Sequence, residues 1–159
     1  MKDVGMVRHI VPILAPINLT ATQVMPHVAL KKYESVEFLI SLGVCGTDSF
    51  TLTVTASAAT AGSTATALSF KYRTTATAIA GSATDVLSDL SAAVTSLVLT
   101  YGTYAGMTIA IEVEANELTA AKPYVGLTLT DPGSAAAITS IVAILKPRYP
   151  QATNDGALT

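Results

Sequence analysis

The chain has 159 residues, of which 50% are hydrophobic and only 13% are charged, and its formal net charge is −2. This length suits one domain with a core that needs no disulfide or metal, and the single cysteine, Cys45, excludes a disulfide-stapled secreted scaffold. The absence of a clustered basic surface argues against a nucleic-acid binder. Because ordinary domains carry about 25% charged residues, either the surface is a plain threonine-rich sheet or much of it is buried against other protein chains.

Residues 1–30 are predicted to form an N-terminal arm. Three prolines disfavour helix and remove backbone donors, so short extended pieces or edge strands are expected. No apolar run reaches the roughly 18 residues of a membrane helix, and the prolines also argue against a signal peptide. His9 and His27 have no Cys, Asp or Glu at ligand spacing, so we expect neither a metal nor a catalytic base here.

This arm is too apolar to be left in water. The strands that follow it already supply apolar faces for two sheets, so we expect part of the arm, with the tail after Pro147, to pack on other chains. Deleting residues 1–17 should then leave a folded domain that no longer binds its partner.

Residues 33–56 carry the clearest strand pattern, which we interpret as a hairpin at the centre of a β-sandwich. Apolar residues at every second position predict one buried face on each strand, and residues 46–49 predict the turn. Glu37, Leu39 and Ser41 predict a half-covered opposite face on the first strand. On the second strand the opposite face, with Thr51, Thr53 and Thr55, should be solvated.

A surface loop is predicted at residues 57–66, followed by a strand over residues 65–76. Leu68, Phe70 and Tyr72 face one side of it. Lys71 and Arg73 face the other, as a solvated face or as a contact with an acidic neighbouring chain.

Residues 76–94 permit two interpretations, a helix of two turns or a long loop. Asp85 and Asp89 would share a face of the helix. We expect them to be solvated carboxylates rather than a cation site.

The strand pattern returns at residues 96–101 and 107–115, with a turn at 102–106. Glu112 and Glu114 lie on one face of the second of these strands. Glycosidases use carboxyl pairs about 5–10 Å apart, but they also need sugar-stacking aromatics, which are scarce here. A solvated strand is the favoured interpretation.

Two further strands complete the pattern, at residues 122–130 and 138–150, with a turn at 131–133 between them. The last is apolar on both faces and is predicted to be central. The polar tail after it is expected to be floppy. The alternating positions predict a core of Phe38, Ile40, Leu52, Val54, Phe70, Ile109, Ile111, Leu127, Val142 and Ile144.

Seven or eight strands separated by turn signals predict an all-β fold, a jelly-roll-like or immunoglobulin-like β-sandwich. We divide the single domain into an arm (1–30), a sandwich (31–147) and a tail (148–159). No catalytic, cofactor-binding or metal-binding residues are predicted, and no cofactor is expected.

Four segments resemble a family of small structural proteins of tailed bacteriophages: Tyr33–Val44, Ala65–Arg73, Lys122–Thr130 and Ala143–Ala152. The resemblance covers about a third of the chain and rests on strand patterns. It implies a non-enzymatic virion protein, assembled in many copies in the bacterial cytoplasm. Within that class it favours a decoration (cement) protein on the capsid surface. The implied partners are the major capsid protein and copies of itself, in a homo-oligomer such as a trimer. Nucleic acid and membrane are not expected as partners.

Two other interpretations stay open. One is a different virion part, such as a neck, tail or fibre-base protein. The other is a β-sandwich binding module or a lytic enzyme, which would require clustered ionisable residues in a cleft.

Overall fold

The structure, a computed structural model, describes residues 7–75, 86–133, 137–149 and 156–158, apart from the side chains of Val44, Cys45 and Tyr101. Its strands are β1 (His9–Asn18), β2 (Gln23–Val24), β3 (Val28–Ala29), β4 (Tyr33–Cys45), β5 (Phe50–Ser57), β6 (Thr66–Ala67), β7 (Arg73–Thr74), β8 (Leu97–Leu99), β9 (Thr108–Glu114), β10 (Tyr124–Leu129) and β11 (Ala137–Pro147). A short helix, α1 (Tyr101–Tyr104), precedes β9, and a 3-10 turn (Ala115–Glu117) follows it.

The strands form two antiparallel sheets that enclose one apolar core. Sheet A has the order β1-β11-β4-β9-β7, and sheet B has the order β2-β10-β5-β6, with β3 beside β10 and β8 beside β5. Buried side chains from both sheets belong to the same hydrophobic cluster. The predicted all-β sandwich is therefore confirmed.

The inner face of sheet A follows from the register of its central strands. Phe38 lies opposite Ile111 on β9 and Ala143 on β11, and Ile40 lies opposite Ile109. Opposite residues of an antiparallel pair share a face, so the period of two in each strand builds one continuous apolar layer. All five of these side chains are fully buried.

The hairpin interpretation of residues 33–56 is wrong, although both strands exist. β4 pairs with β9 and β11 in sheet A, whereas β5 pairs with β6, β8 and β10 in sheet B. Residues 46–49 therefore connect the two sheets rather than two paired strands. Each strand lies inside its own sheet, and their apolar faces meet across the core, which explains why both carry such a regular pattern.

The predicted core is correct at eight of its ten positions and wrong at Val142 and Ile144. These two are half-buried, because the register of β11 turns Ile141 and Ala143 inward, opposite Ile40 and Phe38. A strand that is apolar on both faces gives no sign of which face is inner. Its predicted central place, between β1 and β4, is confirmed.

Residues 9–30 form three strands, as the prediction of short extended pieces or edge strands anticipated, and all three belong to the sandwich. β1 is an edge strand that pairs with β11 from His9 to Asn18. β2 and β3 both pair with β10 in sheet B. The sandwich thus had room for this apolar segment, whose buried side chains include Val11, Leu19, Met25, Val28 and Leu30.

The end of the chain also docks on its own domain. Ala157 is buried, and its carbonyl oxygen accepts a hydrogen bond of 2.8 Å from the backbone N–H of Ala29. The expectation of a floppy tail is therefore wrong for residues 156–158, while residues 150–155 lie outside the described residues.

The strand predicted over residues 65–76 is two short strands that pass from one sheet to the other. β6 pairs with β5 in sheet B, and β7 pairs with β9 in sheet A. Phe70 is buried between them, 4% exposed. The predicted alternation is confirmed, since Lys71 and Arg73 are both exposed on the opposite side.

Residues 86–94 are not helical, so the loop interpretation is the correct one for this part. Ser88 and Ser91 donate backbone hydrogen bonds to the carbonyls of Thr74 and Tyr72. In return their side-chain hydroxyls accept from the backbone N–H groups of Thr74 and Tyr72. These bonds to another segment replace the local bonds that a helix needs. Residues 76–85, including Asp85, lie outside the described residues.

The turn predicted at residues 131–133 is confirmed. Gly133 has a φ of +80°, a conformation that glycine adopts without steric cost. The Oδ1 of Asp131 accepts a hydrogen bond of 2.8 Å from the backbone N–H of Gly133.

Thr139 on the inner side of β11 offers a test of the core. It is 1% exposed, and its hydroxyl has no hydrogen-bond partner among the described residues. Thr139→Val keeps the shape and removes the unsatisfied hydroxyl, so we expect the free energy of unfolding to rise by about 1–2 kcal/mol. Urea denaturation measures this. Thr53→Val, at a half-buried position, should stay within about 0.5 kcal/mol, and an equal gain there would contradict the explanation.

Candidate interaction surface

The outer face of sheet A carries an apolar patch built by register. Pro12 lies opposite Val142, which lies opposite Leu39, which lies opposite Ala110. In the next row Ile10 lies opposite Ile144. We call these six residues the outer patch.

The outer patch is accessible. Ile10 is 53% exposed and Pro12 is exposed, whereas the other four members are half-buried. The prediction of a half-covered outer face on β4 is confirmed at Glu37 and Leu39, which are half-buried, but not at Ser41, which is exposed. Contiguous apolar surface of this kind is characteristic of sites that contact other molecules.

A groove of about 600 Å³ borders the outer patch along β9. It brings together the two charged pairs that the sequence singled out, since Lys71, Arg73, Glu112 and Glu114 all line it. Its wall also includes Glu37, Glu117 and the exposed Leu87 and Leu90. Alternation within each strand does not predict that these residues meet, because β7 pairs with β9 only after the chain has crossed between the sheets.

The charges in the groove make local hydrogen bonds. Glu112 accepts a bond of 3.0 Å from the Ser35 hydroxyl, and Glu114 accepts one of 2.9 Å from the Asn116 amide. The Arg73 guanidinium donates to the carbonyl oxygen of Ser88 at 2.8 Å. Among the described residues no ion pair joins Lys71 or Arg73 to the carboxylates of the groove. These two cations share the groove with the carboxylates of four glutamates, so the groove presents charges of both signs.

The predicted carboxylate pair fits the expected solvated strand face. Glu112 and Glu114 are both exposed. In the ranges that the structure describes, no group of three or more His, Cys, Asp or Glu side chains is placed to hold a metal ion. Asp89 is exposed.

His9 is half-buried, and its Nδ1 lies 2.6 Å from the hydroxyl oxygen of Tyr33. Partial burial lowers the pKa of this imidazole, so the neutral ring is favoured. The contact ties β1 to β4 across β11.

His27 is fully buried, which the sequence did not reveal. Its Nδ1 lies 3.0 Å from the carbonyl oxygen of Met25, and its Nε2 lies 2.9 Å from the Thr55 hydroxyl. A Cβ at Gly62 would lie 2.6 Å from the ring, and a Cβ at Gly126 would lie 2.7 Å from it. The ring therefore fits only because neither residue has a side chain. The two glycines are far from His27 in sequence, and only the fold shows what they accommodate.

The prediction of a solvated outer face on β5 is wrong at Thr55, which is buried beneath the His27 ring.

Gly126→Ala tests the close contact between Gly126 and the His27 ring. The new Cβ would meet Cγ and Nδ1 of the imidazole at 2.7 Å, so the ring or the backbone must shift. We expect the free energy of unfolding to fall by about 1–3 kcal/mol, as in other overpacked cores. Denaturant unfolding of Gly126→Ala, of His27→Ala and of the double variant measures the coupling.

The double variant should lose less than the sum of the single losses, because the methyl then occupies space that the ring has left. Gly102→Ala is the control, since a Cβ there meets nothing within 4 Å. Strict additivity of the two core changes would contradict the proposed contact.

No protein family matches the chain, and no curated protein matches it. The chain is similar in fold to the SPBc2 prophage-derived protein YomS, with 9% identity over 86% of this chain and 92% of that one and a TM-score of 0.43. It is also similar to a protein of Bacillus endospore appendages, which form disulfide-linked pili, with 11% identity over 89% of this chain and 88% of that one and a TM-score of 0.46. At these levels the likenesses carry no argument about function.

In the described part of the chain, no helix is both long and apolar enough to cross a membrane.

Proposed function

We propose that the protein is a non-enzymatic structural component of a tailed-phage virion, and that it decorates the capsid as a cement protein. In this proposal it bridges neighbouring major capsid subunits and associates with copies of itself in a homo-oligomer such as a trimer. It resides on the virion after assembly in the bacterial cytoplasm. Neither nucleic acid nor membrane is a partner. The observation that carries the proposal is the outer patch on sheet A.

The outer patch suits adhesion because four strands present it as a single surface. Its apolar members supply hydrophobic contact, while the bordering groove, with Lys71, Arg73 and four glutamates, supplies charges of both signs. The chain carries only 13% charged residues, so repulsion between neighbouring copies is weak. On a symmetric lattice a modest contact at each copy is multiplied by effective concentration. The resemblance of four strand segments to phage structural proteins supports the same assignment.

A matched pair of lysine substitutions tests the outer patch. Ile10 is 53% exposed within the patch, and Val98 is 52% exposed on β8 of sheet B, outside it. Each variant is mixed with undecorated phage particles, and occupancy is measured by sedimentation and quantitative gel analysis. We expect Ile10→Lys to weaken binding at least tenfold and Val98→Lys to bind normally. Equal binding by both variants would refute the assignment of the surface.

Copy number in purified particles separates the cement assignment from the alternative virion locations. Hundreds of copies per particle would support a capsid decoration protein. A small multiple of three or six would instead indicate a neck, tail or fibre-base protein. Complete absence from particles would favour a β-sandwich binding module.

A further inference from the structure

His27 joins three parts of the chain at the outer face of sheet B. It lies between β2 and β3, which both pair with β10. Its backbone N–H donates to the carbonyl of Thr60 at 2.8 Å. Its ring covers Thr55 and Gly126, which lie opposite each other on β5 and β10. The ring thus connects the loop 57–62 to the sheet. It also adds to the strand pairs of β2 and β3 and to the buried side chains of Met25, Val28 and Leu30, which attach the segment 24–30.

The elements around this ring carry no charged side chain. Residues 19–30, 50–70 and 123–130 contain no Asp, Glu, Lys or Arg, and the only other titratable side chain in them is Tyr124. The hydrogen-bond partners of the ring, the Met25 carbonyl and the Thr55 hydroxyl, are neutral. A proton on the imidazole would therefore bring a buried positive charge with no counter-ion, which is strongly unfavourable.

The hydrogen bonds define the protonation state that fits the site. A carbonyl oxygen can only accept, so Nδ1 carries the hydrogen and donates to Met25. Nε2 then accepts from the Thr55 hydroxyl. A second proton on Nε2 would turn the Thr55 hydroxyl toward its other neighbour, the Gly126 carbonyl at 3.4 Å, which is a long and weak contact.

We propose that His27 is an acid-sensitive latch, which holds residues 24–30 and 57–62 against sheet B when neutral and releases them when protonated. Release uncovers Thr55 and Gly126 on the outer face of sheet B and withdraws the buried side chains of Met25, Val28 and Leu30 from the core, while the strand pairs of sheet A remain formed. This inference is independent of the proposed function, since it concerns the other sheet and requires no partner.

The direction of the effect follows from linkage. Desolvation by burial lowers the pKa of His27 below its ordinary value of 6.5, although the hydrogen bond to Met25 opposes this. The released state therefore binds the proton more readily than the latched state. As the pH falls below 6.5, the population of the released state rises by up to tenfold per pH unit, until the pKa of the latched ring is reached.

Hydrogen exchange with mass spectrometry at pH 7.5 and pH 5.0 tests the latch. After correction for intrinsic exchange rates, we expect amide exchange in peptides covering residues 19–30 and 57–66 to be roughly tenfold or more faster at pH 5.0 than at pH 7.5. Exchange in peptides of β4 and β9 should change little. His9→Gln is the control, since it removes the other histidine, and should keep this response. His27→Gln should abolish it.

Three results would overturn the latch: no pH response in the two segments, loss of the response in His9→Gln, or an equal rise in exchange throughout the chain. NMR titration of the wild-type imidazoles gives an independent check that needs no variant. The His27 ring should titrate clearly below pH 6.5, and titration at or above that value would also overturn the proposal.

Discussion

Deletion of residues 1–17 is expected to unfold the protein or to lower its free energy of unfolding by well over ~3 kcal/mol. The deletion removes almost all of β1, which pairs with β11 from His9 to Asn18. Burial of one Val side chain contributes about 1.5–3 kcal/mol, and Val11 is buried here. Each lost backbone hydrogen bond adds about 0.5–1.5 kcal/mol. β11 would also become an exposed edge, which invites aggregation.

This outcome reverses the expectation from sequence, in which the same deletion left a folded domain. Thermal unfolding followed by circular dichroism measures it. Deletion of residues 1–7, which ends before β1, is the control and should keep the melting temperature within a few degrees. A folded deletion variant with the wild-type melting temperature would show that β1 contributes little to the sandwich.

The sequence predicted the fold class and most of the core because strands with one buried face leave a clear period of two. Phe38 and Ile40 on β4, and Leu52 and Val54 on β5, show this directly. The pattern describes a single strand, however, and says nothing about its partners. It could not show that β4 and β5 belong to different sheets, since their short connection is compatible with either arrangement.

The remaining errors also have physical causes. β11 is apolar on both faces, so its inward face depends on its register with β4 rather than on its own residues. The prolines of β1 fit the predicted edge strand, and β1 is one. The sequence could not show that its partner is β11 of the same chain. For the candidate surface, alternation correctly placed Lys71 with Arg73 and Glu112 with Glu114. Their meeting in one groove depends on the long-range pairing of β7 with β9.

Two adjacent residues on β4 allow the inner and outer faces of sheet A to be compared directly. Phe38 is fully buried and lies opposite Ile111 and Ala143 on the inner face. Leu39 is half-buried and belongs to the outer patch. They share the same backbone environment and differ in the direction of the side chain, because successive residues of a strand point to opposite faces.

Phe38→Ala is expected to lower the free energy of unfolding by about 3–5 kcal/mol, since it loses the burial of the ring and leaves a cavity. That is a large part of the 5–15 kcal/mol typical of a domain. Leu39→Ala should cost about 1 kcal/mol or less, because solvent already reaches the side chain. In the particle-binding assay the order should reverse, with Leu39→Ala the weaker binder under conditions where both variants are folded. Equal stability losses would show that both faces of sheet A are core, and the outer patch would then not be available to a partner.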